Sequence, residues 1–344
     1  MTTIVYQGKA VSLQRGETVL EGLLRAGASV PHTCRRGLCK TCVLQAAPDA
    51  VPSAAQRGLL PTEAGRGLFL ACLCRPVIDL EVFPADHAGS TEAEIIDVTH
   101  LSPTVVRLRL RPDLPLEHQA GQYIVLSRPD GPSRSYSLAN RPGEPWLELH
   151  IRLLSGGEMS SWAYHDARRG MRMWVRGPYG DCVYDGDDPE APLLMVGVGT
   201  GIAPLWGVLR EAVAQEHRGS ITLVEAALDR PGLYLHDELR SLVREHGTLS
   251  MHSCVLEGDA TDPEGILRAP VDKFVLQLFA RADAATKSRY RVLLCGDSAV
   301  VHRLRRGLFL AGLSSRRIFA DAFVLATAPS RSGSVGQGLG SATP

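Results

Sequence analysis

Lysine is scarce. Of 37 basic residues only Lys9, Lys40, Lys273 and Lys287 are lysines. The scarcity reads either as a compositional bias toward arginine or as Arg-based recognition of phosphate or carboxylate. Charge of one sign is also lacking, because Lys+Arg and Asp+Glu are both 37 and the formal net charge is zero. That balance argues against bulk electrostatic binding of nucleic acid, and no nucleic-acid partner is expected. Residues Met1 to Tyr6 carry neither a basic segment nor a long apolar run, so no secretory signal is expected. Unbroken apolar runs are missing as well. The longest uncharged stretch, Ala191 to Leu209, is interrupted by Pro192, Gly197, Gly199, Gly201, Pro204 and Gly207. It suits a soluble strand, turn and helix better than a lipid-facing helix, and no membrane insertion is expected. There is no internal repeat.

What is present is ordinary globular material: 344 residues, 44% hydrophobic and 22% charged. At roughly 150 residues per domain, two or three domains are expected. Eight cysteines without a signal segment point to metal or redox chemistry in a reducing compartment, and hence to a cytoplasmic location.

Composition divides the chain into three regions and a tail. Five cysteines fall between Cys34 and Cys74, among strand-like pieces such as Thr3–Tyr6 and Ile78–Phe83. A linker is expected at Pro84–Glu92. The second region alternates with period two. Val106, Leu108 and Leu110 interleave with arginines, and Leu147, Leu149, Ile151 and Leu153 interleave with Glu148, His150 and Arg152. Short antiparallel strands with one buried and one wet face, joined at Pro129–Pro132 and Arg141–Gly143, suggest a barrel or sandwich. The third region switches to βαβ units and a mostly parallel sheet. Its expected strands are Leu193–Val198, Ile221–Leu228, Leu249–Leu256 and Arg291–Cys295, with a last strand at Ile318–Phe323. Its expected helices are Ile202–Glu216, Leu235–His246 and Ala299–Ala311. The Gly/Ser-rich tail 329–344 is expected to be disordered. These readings place domains at 1–86, 91–188 and 189–326.

Cys34-Arg35-Arg36-Gly37-Leu38-Cys39-Lys40-Thr41-Cys42 has the spacing C-x4-C-x2-C, with Cys72 and Cys74 downstream. This is the plant-type [2Fe–2S] spacing, in which a tight loop supplies three thiolates and its N–H groups can bond the sulfurs. Gly37 admits backbone conformations that a side chain would block. A structural zinc site also takes four thiolates. The fourth ligand is Cys72 or Cys74. Arg35, Arg36 and Lys40 read as offsetting cluster charge, as docking a partner, or as a solvated basic loop.

Arg134-Ser135-Tyr136-Ser137 follows a turn, and His150-Ile151-Arg152 and Gly156-Gly157-Glu158-Met159-Ser160 come next. An Arg can clamp a pyrophosphate, a Tyr can cover an isoalloxazine face, and a Gly-Gly turn at a helix start can cradle phosphate. Taken singly, these also fit a surface Arg, a core-edge Tyr and a helix-capping Ser. Together they favour a flavin site.

Leu193 to Pro204 runs from an apolar strand through Gly197, Gly199 and Gly201 into a helix. Glycines let a backbone approach pyrophosphate, and Thr200 can cap the helix. A glycine-rich turn packed on the sheet explains the same residues. Cys295-Gly296-Asp297-Ser298 ends an apolar strand at the carboxyl edge of the sheet, where ligands bind in open α/β folds.

With these pieces in order, the chain resembles the ferredoxin-NAD(P) reductase superfamily, in the subgroup with a fused N-terminal plant-type ferredoxin. Members serve as reductase components of aromatic-ring dioxygenases, soluble diiron monooxygenases and deoxysugar dehydratases. The resemblance covers about residues 2 to 325. It implies a β-grasp ferredoxin domain, an antiparallel β-barrel FAD domain and a Rossmann-like NAD domain. It implies a [2Fe–2S] cluster held by Cys34, Cys39, Cys42 and Cys72. Arg134 would contact the FAD phosphates, Tyr136 the isoalloxazine, and Ser137 the region of flavin N5. Gly157 and Ser160 match the element that supports the pyrophosphate, with His150 and Arg152 beside it. Gly199, Thr200 and Gly201 would meet the nicotinamide dinucleotide, and Cys295 and Gly296 its ring. Asp321 matches an acidic position near the flavin, and Phe323 an aromatic that shields it and moves aside for nicotinamide.

The chain departs from the family at three places. Lys40 stands where Gly is frequent, Asp297-Ser298 replaces a proline-containing pair, and Leu228 occupies a frequent Arg position. Asp229 favours NADH through a ribose hydroxyl, and Arg230 favours NADPH through a 2′-phosphate. NADH is the expected donor, with NADPH as the alternative. The implied activity passes electrons from NAD(P)H to FAD, to the cluster, and to an acceptor protein. A Rieske-type dioxygenase is the first choice of acceptor, with a diiron monooxygenase or a deoxysugar dehydratase next. The rivals are a redox-sensing subunit without turnover and a zinc-stapled binding module.

Overall fold

A computed structural model describes residues 2–85, 88–258 and 265–324. The tail 329–344 lies outside the described residues. Three sheets follow one another along the chain.

The first contains β1 (Thr3–Tyr6), β2 (Lys9–Ser12), β3 (Val43–Gln45), β4 (Leu68–Leu70) and β5 (Leu80–Pro84), in the order β2-β1-β5-β3-β4. It is mixed, with β1 parallel to β5 and the other pairs antiparallel. One helix, Val19–Arg25, packs on it through Val19, Leu20 and Leu23. Its start is a capping box, in which Thr18 Oγ1 accepts the Glu21 N–H at 3.2 Å and the Glu21 carboxylate accepts the Thr18 N–H at 2.8 Å. Such a cap stabilises by about 1 kcal/mol.

The second sheet is antiparallel. It contains β6 (Ser90–Ser102), β7 (Val105–Pro112), β8 (Tyr123–Ser127), β9 (Ser133–Ser137), β10 (Leu147–Arg152) and β11 (Arg172–Tyr179), in the order β10-β7-β6-β11-β8-β9. A bridge between Leu138 and Leu149 brings the two edges together into a half-barrel. Val106, Leu108, Leu110, Leu147, Leu149 and Ile151 line its core, as the alternation predicts. The other face of β10 corrects the expectation. Glu148 and His150 are buried, not wet. Tyr234 of the third region covers them, and Arg109 pairs with Glu148 at 2.7 Å.

The third sheet is wholly parallel. It contains β12 (Leu193–Val198), β13 (Ile221–Ala227), β14 (Leu249–Val255), β15 (Leu267–Arg268), β16 (Arg291–Asp297) and β17 (Ile318–Phe323), in the order β15-β14-β13-β12-β16-β17. Its strand order reverses at β12, which places a crevice at the carboxyl ends of β12 and β16. The helices Ile202–Ala214, His236–Glu245 and Ser298–Leu310 match the expected ones to within a residue or two at each end. Two further helices, Val271–Arg281 and Ala284–Arg289, were not expected. The linker expected at 84–92 is shorter, because β5 runs to Pro84 and β6 begins at Ser90. Among the described residues, no helix is long and apolar enough to cross a membrane.

Candidate functional site

The thiols of the cysteine loop gather in two pairs. Three backbone N–H groups donate to Cys34 Sγ: Arg36 at 3.4 Å, Leu38 at 3.3 Å and Cys39 at 3.3 Å. The Cys34 N–H in turn donates to Cys39 Sγ at 3.4 Å. Cys42 and Cys72 lie against one another, and the Gly37 N–H faces the Cys72 sulfur. Within each pair one thiol is held low and its neighbour high, which is what two close sulfurs sharing a proton produce. Among the described residues, no three ligating side chains converge on a single ion. Two pairs suit two irons better than one zinc. Gly37 is required here: its φ is +77°, and a Cβ would lie 2.5 Å from Leu73 Cδ1. Cys74 is fully buried, and burial alone, with no partner sulfur among the described residues acting on it, pushes its thiol up to about 12.

The strand β9 touches both neighbouring regions. Ser135 Oγ donates to Cys39 O at 2.8 Å, and Ser137 Oγ donates to Asp321 Oδ2 at 2.7 Å. Tyr136 stands between them. Desolvation pushes the Asp321 carboxyl up to about 6, which the Ser137 hydrogen bond opposes and Asp181 reinforces. Asp321 lies on β17 in register with Cys295 on β16, and Phe323 is in register with Asp297.

Arg134 donates to the carbonyl of its neighbour Ser133 at 2.8 Å and, among the described residues, forms no ion pair. Arg152 is exposed and likewise unpaired among the described residues, and its Nη1 lies 3.6 Å from the Cβ position of Gly199. Two cations without carboxylate partners, with Arg152 beside the Gly199 turn, fit phosphate groups. Gly157 precedes the helix Glu158–His165. The Ser160 hydroxyl closes the turn internally, accepting from Leu154 N at 3.1 Å and donating to Gly157 O at 3.0 Å. It therefore shapes the cradle.

His150 differs from expectation. Its Nδ1 meets Tyr234 Oη at 3.0 Å and its Nε2 meets Glu148 Oε1 at 3.1 Å, which leaves no ring nitrogen for a ligand. Burial lowers its pKa. Its place is in a network that ties β10 to the third region.

Gly199–Gly201 form a 3-10 turn between β12 and the helix Ile202–Ala214. Thr200 does not cap this helix. Gly201 stands at the cap position, and no side chain accepts the first N–H groups. An N-terminus left open in this way, at the strand-order reversal, fits a pyrophosphate. A Cβ on Gly201 would lie 2.1 Å from Cys295 O and 2.6 Å from Gly296 Cα. Gly201→Ala is therefore expected to cost about 1–3 kcal/mol and to weaken pyridine-nucleotide binding, checked by urea denaturation and by KM for the nucleotide.

Cys295 is fully buried, with its Sγ 3.6 Å from Cys182 Sγ, and Cys182 and burial push its thiol well up. It contributes shape and not a reactive thiolate. The departure at Asp297 has a local reason: its carboxylate accepts the Ala299 and Val300 N–H groups, both at 3.0 Å, and so starts the helix Ser298–Leu310.

Sequence reading missed Tyr123, Arg176, Glu63 and Tyr234, which join the three regions. Glu63 accepts a hydrogen bond from Tyr179 Oη at 2.6 Å. For Tyr123 and Arg176 the only signal was a polar side chain on a strand, while Glu63, in a short helix, and Tyr234, in a turn, gave none.

Three family models match. The 2Fe-2S iron-sulfur cluster binding domain covers residues 4–77, the oxidoreductase FAD-binding domain 92–184, and the oxidoreductase NAD-binding domain 195–305. The aromatic O-demethylase reductase subunit of Amycolatopsis sp. is 31% identical over 334 residues, which is 93% of this chain and 98% of that protein. The naphthalene 1,2-dioxygenase system ferredoxin–NAD(P)(+) reductase component of Pseudomonas putida is 28% identical over 92% of this chain and 96% of its own length. The crystal structure of an Amycolatopsis cytochrome P450 reductase superposes with a TM-score of 0.64 at 29% identity, covering 94% of this chain and 99% of that one.

Proposed function

Because the chain belongs to the ferredoxin-NAD(P) reductase family, with an N-terminal [2Fe–2S] ferredoxin domain, we propose that it is the reductase component of an oxygenase system acting on aromatic compounds. It is an NAD(P)H-dependent FAD and [2Fe–2S] oxidoreductase. The observation that carries the proposal is the double contact of β9, which reaches the cysteine loop through Ser135 and the nucleotide domain through Ser137. The proposed domain limits are 1–86, 91–188 and 189–326.

A bound flavin accepts two electrons as a hydride and releases them singly, which joins a nicotinamide to an iron–sulfur cluster. The residues around it have the following proposed roles. Cys34, Cys39, Cys42 and Cys72 hold the cluster. Arg134 and Arg152 neutralise the FAD phosphates, and the Gly157 turn admits them. Tyr136 packs on the isoalloxazine. The Gly199–Gly201 turn takes the dinucleotide, and Gly296 leaves room for the nicotinamide ring. Ser137 Oγ and Asp321 Oδ2 hold a proton between them at the end of β9. Phe323 covers the flavin and yields to nicotinamide.

The proposed donor is NADH. Asp229 Oδ1 accepts the Gly232 N–H at 3.1 Å, which fixes its carboxylate at the end of β13. Its charge repels a 2′-phosphate. Asp229→Asn keeps the acceptor for Gly232 and removes the charge. It is expected to lower the NADH/NADPH ratio of kcat/KM by about tenfold, the size of one like-charge contact near a surface. An unchanged ratio places the selectivity elsewhere.

The acceptor is proposed as a Rieske-type dioxygenase or a diiron monooxygenase. The Amycolatopsis relative adds a cytochrome P450 as a second reading. The test mixes the purified chain and NADH with one oxygenase of each type and compares product formed with NADH consumed. Product with one of them identifies the acceptor class. NADH oxidation by an artificial one-electron acceptor, with no product from any, counts against an oxygenase partner. No turnover with any acceptor favours a redox sensor.

A further inference from the structure

The cysteine loop is bonded to the barrel through consecutive peptide carbonyls, and each bond comes from a different strand. Tyr123 Oη on β8 donates to Leu38 O at 2.5 Å, Ser135 Oγ on β9 to Cys39 O at 2.8 Å, and Arg176 Nη2 on β11 to Lys40 O at 2.5 Å. The carbonyl before them, Gly37 O, accepts from the loop's own Lys40 Nζ at 2.7 Å, and this buried ammonium also reaches Arg57 O at 3.0 Å. Four carbonyls in a row are thus engaged by donors.

Across a trans peptide the N–H points opposite to the C=O. The N–H groups sharing peptide planes with Gly37 O and Leu38 O are those of Leu38 and Cys39. Both donate to Cys34 Sγ, each at 3.3 Å. The Leu38–Cys39 peptide is therefore held at both ends, by the Tyr123 hydroxyl and by the Cys34 sulfur. A second anchor lies below, where Tyr179 Oη donates to buried Glu63 at 2.6 Å. Burial keeps both tyrosine hydroxyls protonated and able to donate.

We propose that Tyr123, Ser135 and Arg176 are positioning residues that clamp the cluster loop to the flavin domain. The clamp fixes the separation between flavin and cluster, and it aims the loop N–H groups at the sulfurs. The proposal rests on the relay described above. The step it serves moves one electron, supplied by NAD(P)H, from reduced flavin to one ferric iron, which becomes ferrous. N–H groups directed at sulfur stabilise the added negative charge, so the clamp also raises the cluster's reduction potential.

The test uses the full-length holoprotein with Tyr123→Phe, Ser135→Ala and the double variant, and with Ser135→Thr as the conservative control. Anaerobic stopped-flow separates flavin bleaching by NADH from cluster bleaching. Flavin bleaching is expected to stay within about twofold of wild type, while cluster bleaching slows by about tenfold or more in the double variant, as loss of positioning predicts. Hydrogen exchange of the amides of residues 36–42 is expected to speed up. An EPR-monitored redox titration is expected to shift the cluster negative in Tyr123→Phe. Ser135→Thr is expected to retain the wild-type rate. An unchanged cluster step with unchanged exchange in the double variant overturns the clamp. A wild-type cluster that NADH never reduces overturns the relay itself, so the two failures are distinguishable.

Discussion

Cys72→Ser is expected to strip the iron and the visible cluster absorbance from the purified chain, while Cys74→Ser keeps both. The two thiols are two residues apart, yet their surroundings differ. Cys72 faces Cys42 and the Gly37 N–H, so it completes the second sulfur pair. Cys74 is fully buried, and burial is the one influence on its thiol, with no partner sulfur among the described residues acting on it. In Cys72→Ser, reduction of ferricyanide by NADH should survive, because flavin alone can serve it. Reduction of cytochrome c through the cluster should fall to background. In Cys74→Ser a hydroxyl enters an apolar site, so stability should drop by about 1–3 kcal/mol with the cluster retained. Iron analysis and urea denaturation on both variants separate ligand from core residue. Loss of the cluster from Cys74→Ser instead assigns the fourth ligand to Cys74.

The second large effect is expected at the Ser137–Asp321 pair. Ser137→Ala should slow flavin turnover by about 10²–10³-fold, the range of a positioned proton-transfer group. The pH profile gives the sign. Desolvation raises the Asp321 carboxyl above the usual carboxylate range to about 6, so at neutral pH its carboxylate is ionised and accepts the Ser137 hydrogen bond. Below about pH 6 it takes up a proton and can no longer receive one through Ser137. Turnover should therefore decline as pH falls through that value, and Asp321→Asn should be slow at every pH with the limb removed. Geometry sets His150 apart from the limb, because both its ring nitrogens are bonded within the protein, to Tyr234 and Glu148. A limb that persists in Asp321→Asn assigns the titration to another group.

Much of this was legible in the residues, and the parts that were not share a cause. Alternation along Val105–Pro112 predicted buried Val106, Leu108 and Leu110 because burial on one face of a strand is a local property. The same alternation misread Glu148 and His150, whose outer face is covered by Tyr234 from a segment more than eighty residues away. The C-x4-C-x2-C spacing was informative because loop geometry fixes it. The choice between Cys72 and Cys74 was not, since both lie just beyond β4 and only the fold decides which one meets Cys42. Thr200 looked like a cap, but the backbone winds into a 3-10 turn and leaves the helix end open. Asp297 looked like a departure and turned out to start a helix. The bonds between regions, from Tyr123, Ser135 and Arg176, left no periodic signal at all. Their acceptors are backbone carbonyls, which any residue supplies.

The central claim is that this chain carries electrons internally from pyridine nucleotide through flavin to the iron–sulfur cluster. An anaerobic titration with NADH, repeated with NADPH and read by absorbance alongside iron and zinc analysis, tests it most directly. Bleaching of the flavin bands and then the iron–sulfur bands, with iron and no zinc in the protein, is the predicted result, and NADH is the predicted better donor. A chain that holds zinc in place of iron, or a flavin that bleaches while an intact cluster stays oxidised, contradicts it.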